Sequence, residues 1–246
     1  MTFDELKKLH QKKYRDEYGF FLAEGEHLVL ELGKALAHRP ELAAARIFVS
    51  HEYAEAGFPP SFPRQLDMET LNARQISQLS DTRSPQGVIA VVPILPVVAP
   101  TQGERAVYLH EIQDPGNLGT ILRTLAWFGG FRCLLSPASV DPYNPKVVRA
   151  SMGGIFTVPV EVDIPADSLT HRYARTALLD TRGKAISHPT FKEFDCYMFG
   201  NEARGASADL FSMAGEAVFS IPGGYAAQSL NVATAVNLSV YELYRP

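Results

Sequence analysis

The chain has 246 residues, 46% of them hydrophobic and 20% charged, and a formal net charge of −4. That balance excludes a disordered chain and supplies apolar material for one large or two ordinary cores; it also excludes bulk attraction to a polyanion, so a nucleic-acid partner has to be met by a local basic patch. The N-terminus carries no apolar signal core and no uncharged run reaches the roughly 18 residues of a membrane span, so the expected location is cytoplasmic.

Up to Pro100 the pattern is that of a small α/β unit. Leu6 and Leu9, set among Lys7, Lys8, Lys12, Lys13 and Arg15, predict a charged helix, and FFLAEGEHLVLELGKALA, with Leu28, Leu32 and Leu36 in helical spacing, predicts another. A strand RIFVS, the Pro-rich GFPPSFP, a helix over METLNARQISQLS and the apolar run GVIAVVPIL follow. PVVAPTQGER mixes Pro, Gly and polar residues between two apolar runs and reads as a linker. Two domains are therefore expected, 1–99 and 100–246.

Beyond the linker, the short apolar runs AVYL, FRCLLS, TALLD, CYMFG and AVFSI alternate with helical or loop segments, the pattern of parallel strands covered on both faces. Cys133 and Cys196 each lie inside such a run, with no His or Cys at ligand spacing, and read as reduced core thiols. Ligands of such sheets sit outside the carboxyl ends of the strands, which directs attention to the loops that follow. After AVYL, the turn Asp114-Pro115-Gly116-Asn117 leads into a helix whose apolar face is Leu118, Ile121, Leu122, Leu125 and Phe128, with Arg123 opposite. A solvated surface arginine and an anion-binding one both fit Arg123, as capping and ligand contact both fit Asn117. After CYMFG come Gly200-Asn201-Glu202 and Arg204-Gly205, where glycine allows positive φ or close approach of a ligand. After AVFSI, the loop PGGYAAQ reaches Ser229, a candidate helix N-cap. The helix beyond carries Val232, Val236, Val240 and Leu243 on one face, and Leu238 and Tyr241 on another that needs a second cover. Capping by Ser229 leaves Asn231 unexplained, because asparagine is a poor helix-interior residue. Neither GxGxxG nor a Walker pattern is present, which argues against a nucleotide-binding oxidoreductase.

Taken together, DPGNLGTILRT, GNEARG and SLNVATA, in that order and each after a strand, resemble the three signature motifs of the SpoU (TrmH-like) family of RNA ribose 2′-O-methyltransferases, in the SPOUT superfamily. The intervening DPYNPKVVRASMGGIFTVPV is similar to that family as well, and KKLHQKKYRDEYGFFLAEG resembles the substrate-binding domain that many members carry. The resemblance implies a C-terminal α/β domain with a parallel sheet and a deep trefoil knot, one of the rare exceptions to unknotted chains, preceded by a small L30e-like α/β domain. It implies S-adenosylmethionine as cofactor, ribosomal or transfer RNA as substrate, no metal, and a homodimer that the C-terminal helix helps to form. By position, Phe199, Gly200, Asn201, Ile221, Ser229 and Leu230 match cofactor-binding residues, and Arg123, Asn117, Glu202, Ser229 and Asn231 match catalytic ones. Lys12, Lys13, Arg15, Lys146 and Arg149 are candidate RNA contacts, although Asp4, Glu5, Asp16 and Glu17 interleave with the first cluster and a solvated helix face fits it too. The chain departs from the family at Gly223-Gly224-Tyr225, where relatives usually carry Met after Ile-Pro and Gly in place of Tyr225, with the loop length kept.

The implied reaction moves a methyl group in line from a sulfonium to a ribose hydroxyl, so the protein has to align the reacting atoms and manage a proton. Arg123 matches a family arginine proposed to take part in deprotonation. A guanidinium, with a pKa of roughly 12 or higher, rarely loses its proton, so a target phosphate positioned by Arg123 is the alternative acceptor. The other polar motif residues are assigned to orienting the ribose and the methionine end of the cofactor. A reading from a different class, a knotted RNA-binding or assembly protein without catalysis, is opposed by the presence of every polar motif residue.

Overall fold

The computed structural model describes residues 1–224 and 229–245. In chain order the first elements are α1 (Phe3–Lys8), α2 (Lys12–Tyr18), β1 (Phe20–Glu24), α3 (Glu26–Ala35), β2 (Arg46–Ser50), α4 (His51–Ala56), β3 (Asp67–Leu71), α5 (Ala73–Leu79) and β4 (Val88–Pro93). Then come β5 (Arg105–Leu109), α6 (Pro115–Phe128), β6 (Phe131–Leu135), α7 (Pro145–Ala150), β7 (Val160–Glu161), α8 (Leu169–Arg172), β8 (Thr176–Ala185), β9 (Cys196–Phe199), α9 (Ala208–Ala214), β10 (Val218–Ser220) and α10 (Val232–Tyr244). None of the described helices is long and apolar enough to cross a membrane. The expected knot turns on the loop containing residues 225–228, and the departure at Tyr225 falls there too; both lie outside the described residues.

The chain forms two units, one of Met1–Pro96 with Asp141–Thr157, the other of Val97–Val140 with Val158–Pro246. The first holds a mixed sheet in the order β1-β4-β2-β3, with β1 and β2 antiparallel to β4 and β2 parallel to β3. Leu6 and Leu9 from the N-terminal turns join Ile76 and Leu79 of α5 in covering Leu22, Phe48 and Ile89. Two expected helices are shortened here. FFLAE is strand β1, because its Phe21, Leu22 and Ala23 are all buried, and DMETL is strand β3, with the helix starting only at the Asn72/Gln75 capping box.

The segment Asp141–Thr157 belongs to this first unit although it follows β6 in sequence. Its Tyr143 and Phe156 rings lie 4.9 and 6.3 Å from Phe21, and α7 packs on β1. Arg15 is 3% exposed; its Nε donates to Asp141 Oδ2 at 2.9 Å and one terminal nitrogen donates to the Leu9 carbonyl at 2.7 Å. Such a buried charge is tolerated only because it is paired, and the pairing corrects the expectation that Arg15 meets RNA. Arg149 is only partly buried, its side chain 31% exposed, and donates to Asp81 at 2.8 Å. Lys12, Lys13 and Lys146 remain exposed.

The second unit is built on a six-stranded, wholly parallel sheet in the order β10-β8-β9-β5-β6-β7. Ala106, Tyr108, Leu134 and Met198 face a cluster with Leu169, Leu210 and Ala214. Their strand neighbours point the other way. Helix α6 packs on β6 and on α10, burying Leu118, Ile121, Leu122 and Leu125 together with Val236, Val240 and Leu243 of α10. Burial pushes both the Cys133 and Cys196 thiols up and leaves them inert core groups.

Candidate active site

The sheet order reverses between β5 and β9: the chain goes from β5 to β6 and β7 on one side, and β9, β8 and β10 occupy the other. The loops leaving the carboxyl ends of Leu109 and Phe199, register partners, therefore meet at a switch point, where doubly wound sheets hold ligands. His110 N–H donates to the Phe199 carbonyl at 2.9 Å, tying the two exits together.

Short-range chemistry sets each loop. Asp114 caps α6 by accepting from Asn117 N–H at 2.8 Å, and Pro115 occupies the first helical turn, where its missing N–H costs nothing. Asn201 accepts from the N–H groups of Ala203 and Arg204, both at 3.0 Å, and donates to the Glu111 carbonyl at 2.9 Å. This turn folds so tightly that a Cβ on Gly200 would fall 2.5 Å from Ala206 N. Glycine at 200 is thus required by the loop's own return. Arg204 pairs with Glu111, a non-glycine residue at φ 50°, across the two loops.

The cap of α10 is Asn231 and not Ser229: its Oδ1 accepts from Ala233 and Thr234 N–H at 2.9 and 3.2 Å. Asparagine is poor inside a helix and among the best residues just before one. With Oδ1 fixed by two donors, Asn231 Nδ2 points away from the helix and donates to Asn117 Oδ1 at 2.8 Å. That in turn fixes the Asn117 amide, whose Nδ2 donates to Glu202 Oε1 at 2.7 Å. One directional chain of hydrogen bonds links all three sequence motifs, and no amide in it could flip without losing a bond.

Beside this chain is a cavity of about 600 Å³. Phe199, Gly200, Asn201, Ile221, Ser229 and Leu230 line it, as do Asn117, Glu202 and Asn231. Leu230, 49% exposed, is an apolar side chain left bare at the wall. Arg123 is not among the lining residues; it stands exposed on α6 in one stripe with Thr120 and Trp127, at helical spacings of three and four. Sequence reasoning missed Leu179, Asp180 and Thr181 in the wall. TALLD had been read as a strand, and its carboxyl end was the signal that could have flagged Asp180.

Comparison with known proteins fits this geometry. The SpoU rRNA Methylase family matches residues 104–241, and an MRM3-like substrate binding domain matches residues 4–90. The 23S rRNA (guanosine(2553)-2'-O)-methyltransferase RlmP of Bacillus subtilis is 30% identical over 97% of this chain and 94% of its own length. A protein described as an RNA methyltransferase of the TrmH family from Porphyromonas gingivalis superposes with a TM-score of 0.81 at 27% identity, covering 98% of this chain and 96% of that one. The AdoMet-bound rRNA methyltransferase from Sinorhizobium meliloti gives 0.79 at 26% identity, covering 99% and 94%. With its motifs joined at the switch point of a parallel sheet, this chain belongs to the SpoU rRNA methylase family.

Proposed function

We infer that this protein transfers a methyl group from S-adenosylmethionine to a ribose 2′-hydroxyl of ribosomal RNA. The observation that carries this reading is the Asn231–Asn117–Glu202 chain beside an open cavity. The cavity suits the cofactor: its volume lies within the usual range for small-molecule sites, and its wall combines apolar Leu179, Phe199, Ile221 and Leu230 with polar Asp180, Glu202 and Asn231. When bound, S-adenosylmethionine supplies an electrophilic methyl on a sulfonium. Glu202, whose hydrogen-bond partner among the described residues is the neutral Asn117 amide, is the carboxylate of the wall that would meet that cation. Asn117 and Asn231 hold the carboxylate in place and orient the ribose, and a rigid chain anchored on a helix end suits that task.

Arg123 completes the site from a second copy of the chain. Support comes from the surface it shares: Trp127 is 84% exposed, Tyr244 65%, Tyr241 55% and Leu238 40%, on two helices packed together. A homodimer formed through α6 and α10 would cover these side chains and carry Arg123 to the partner's cavity, where it would hold a target phosphate. The knot expected of the family would bring the C-terminal segment to the cofactor. In the first unit, exposed Lys12, Lys13 and Lys146 serve as phosphate contacts of a substrate-binding domain. Two free, buried cysteines support a reducing, cytoplasmic setting for the reaction.

The test is to incubate the protein with S-adenosylmethionine and ribosomal RNA and to search for ribose methylation by mass spectrometry. A single methylated nucleotide, lost in Arg123→Ala while cofactor binding persists, is expected. RNA binding without product would overturn the reading in favour of a non-catalytic assembly protein.

A further inference from the structure

Two carboxylates line the cavity, and their surroundings differ. Glu202 meets a neutral amide. Asp180 is already held by Arg182, with Nε at 2.7 Å from Oδ1, a terminal nitrogen 3.3 Å from Oδ2, and the Arg182 backbone N–H at 3.1 Å from Oδ1. The Asp180 side chain is 13% exposed while that of Arg182 is 70% exposed, and the guanidinium stacks 4.3 Å from the Phe211 ring centroid. Burial works to raise the Asp180 carboxyl, yet the hydrogen bonds and charge of Arg182 outweigh it and hold the group below the usual carboxylate range.

The backbone explains how Asp180 reaches the cavity. Strand β10 pairs with β8 at Leu178↔Val218, and its next residue pairs at Lys184↔Phe219, so Leu179–Gly183 has no partner on β10, although Leu179 still pairs with Phe199 of β9. Breaks of this kind re-aim side chains beside active sites. The excursion closes at Gly183, where a Cβ would fall 2.4 Å from Phe219 N.

We propose that Asp180 is a cofactor-positioning residue, its carboxylate accepting hydrogen bonds from the ribose hydroxyls of the S-adenosylmethionine nucleoside. The inference rests on the cofactor reading above. Electrostatics separates the candidates: a carboxylate neutralised by a forked arginine has little left to attract a second cation, but it retains lone pairs for neutral O–H donors. Glu202 has the complementary arrangement and takes the cationic end. The two acids divide the cofactor between them.

Calorimetric titration of the unaltered protein separates the possibilities. S-adenosylmethionine and 5′-methylthioadenosine, which shares the nucleoside but lacks the amino-acid end, are each expected to lose about tenfold or more in affinity in Asp180→Asn, as for loss of a hydrogen bond to a charged group. The 2′,3′-dideoxy form of methylthioadenosine is expected to bind the unaltered protein more weakly than its parent and to show no further loss in the variant, which a purely structural role of Asp180 would not produce. Weakening of S-adenosylmethionine alone would overturn the proposal and place Asp180 at the ammonium group. Equal binding of parent and dideoxy compounds by the unaltered protein would also overturn it, whether or not the variant folds. Failure of the unaltered protein to bind S-adenosylmethionine at all would instead sink the cofactor reading.

Discussion

Asn231 serves two functions with one amide, and they are separable by substitution. Its oxygen caps α10 and its nitrogen orients Asn117. Asn231→Asp keeps an excellent cap but loses the donor, so thermal stability is expected to hold while methyl transfer falls by about 10²-fold, the cost typical of misplaced catalytic groups. Asn231→Ala removes both and is expected to lose about 1 kcal/mol of stability as well. Parallel melting curves and single-turnover assays check this; equal activity of Asn231→Asp and the unaltered protein would refute the orienting role. At this scale the sequence offered Ser229 as the cap and left Asn231 unexplained, and the structure gives the cap to Asn231. The motif contains both Ser229 and Asn231, and the choice of cap depends on where helical backbone begins, which is at Val232.

At the scale of elements, the stretch of β8 without a partner on β10 is the feature most exposed to disruption. Gly183→Ala would drive a methyl into the Phe219 backbone, so β10 has to move away from β8. The variant is expected to melt lower and to bind S-adenosylmethionine more weakly, because Asp180 and Thr181 on one side and Ile221 on the other line the same cavity. An unchanged melting temperature would contradict the close approach. The same sheet carries a pH signature through Arg132, 1% exposed on β6, which pairs with Glu104 at 3.0 Å and Glu161 at 2.6 Å. Burial tends to raise the Glu104 carboxyl, but the Thr101 N–H and Arg132 outweigh it and hold the group below its ordinary 4.5. A depressed folded value means that the unfolded chain binds more protons. The stabilisation is therefore complete above about pH 4.5 and is lost as pH falls through the lower folded value. Glu104→Gln is expected to flatten that acid limb of a melting-temperature profile and to be less stable near neutrality. Alternating apolar runs made the parallel strands readable in advance, whereas FFLAE and DMETL were obscured because each runs directly into a helix with its own apolar stripe.

For the whole molecule, the prediction concerns association. Tyr241→Lys puts a charge on the exposed apolar face of α10 without touching its buried stripe. The variant is expected to sediment as a monomer, to retain cofactor binding and to lose methyl transfer, since Arg123 is absent from the cavity of its own chain. A monomeric unaltered protein with full activity would rule out the shared site. The same scale holds the placement of Asp141–Thr157, which lies between β6 and β7 in sequence yet belongs to the first unit, with Asp141 paired to buried Arg15.

The sequence by itself determined the parallel sheet, the loops that line the cavity and the family, because strand burial and motif spacing are local and written in residue type. Only the tertiary structure decided which polar groups are free to act. Arg15 looks like an RNA contact until Asp141 is found beside it, and Asp180 looks like a strand end until the register break turns it to the cavity wall. The physical reason is common to both: the role of a charged side chain is set by what folding brings beside it, and neither Asp141, 126 residues from Arg15, nor the β10 residues that break register with β8 are neighbours along the chain, so spacing alone does not reveal them.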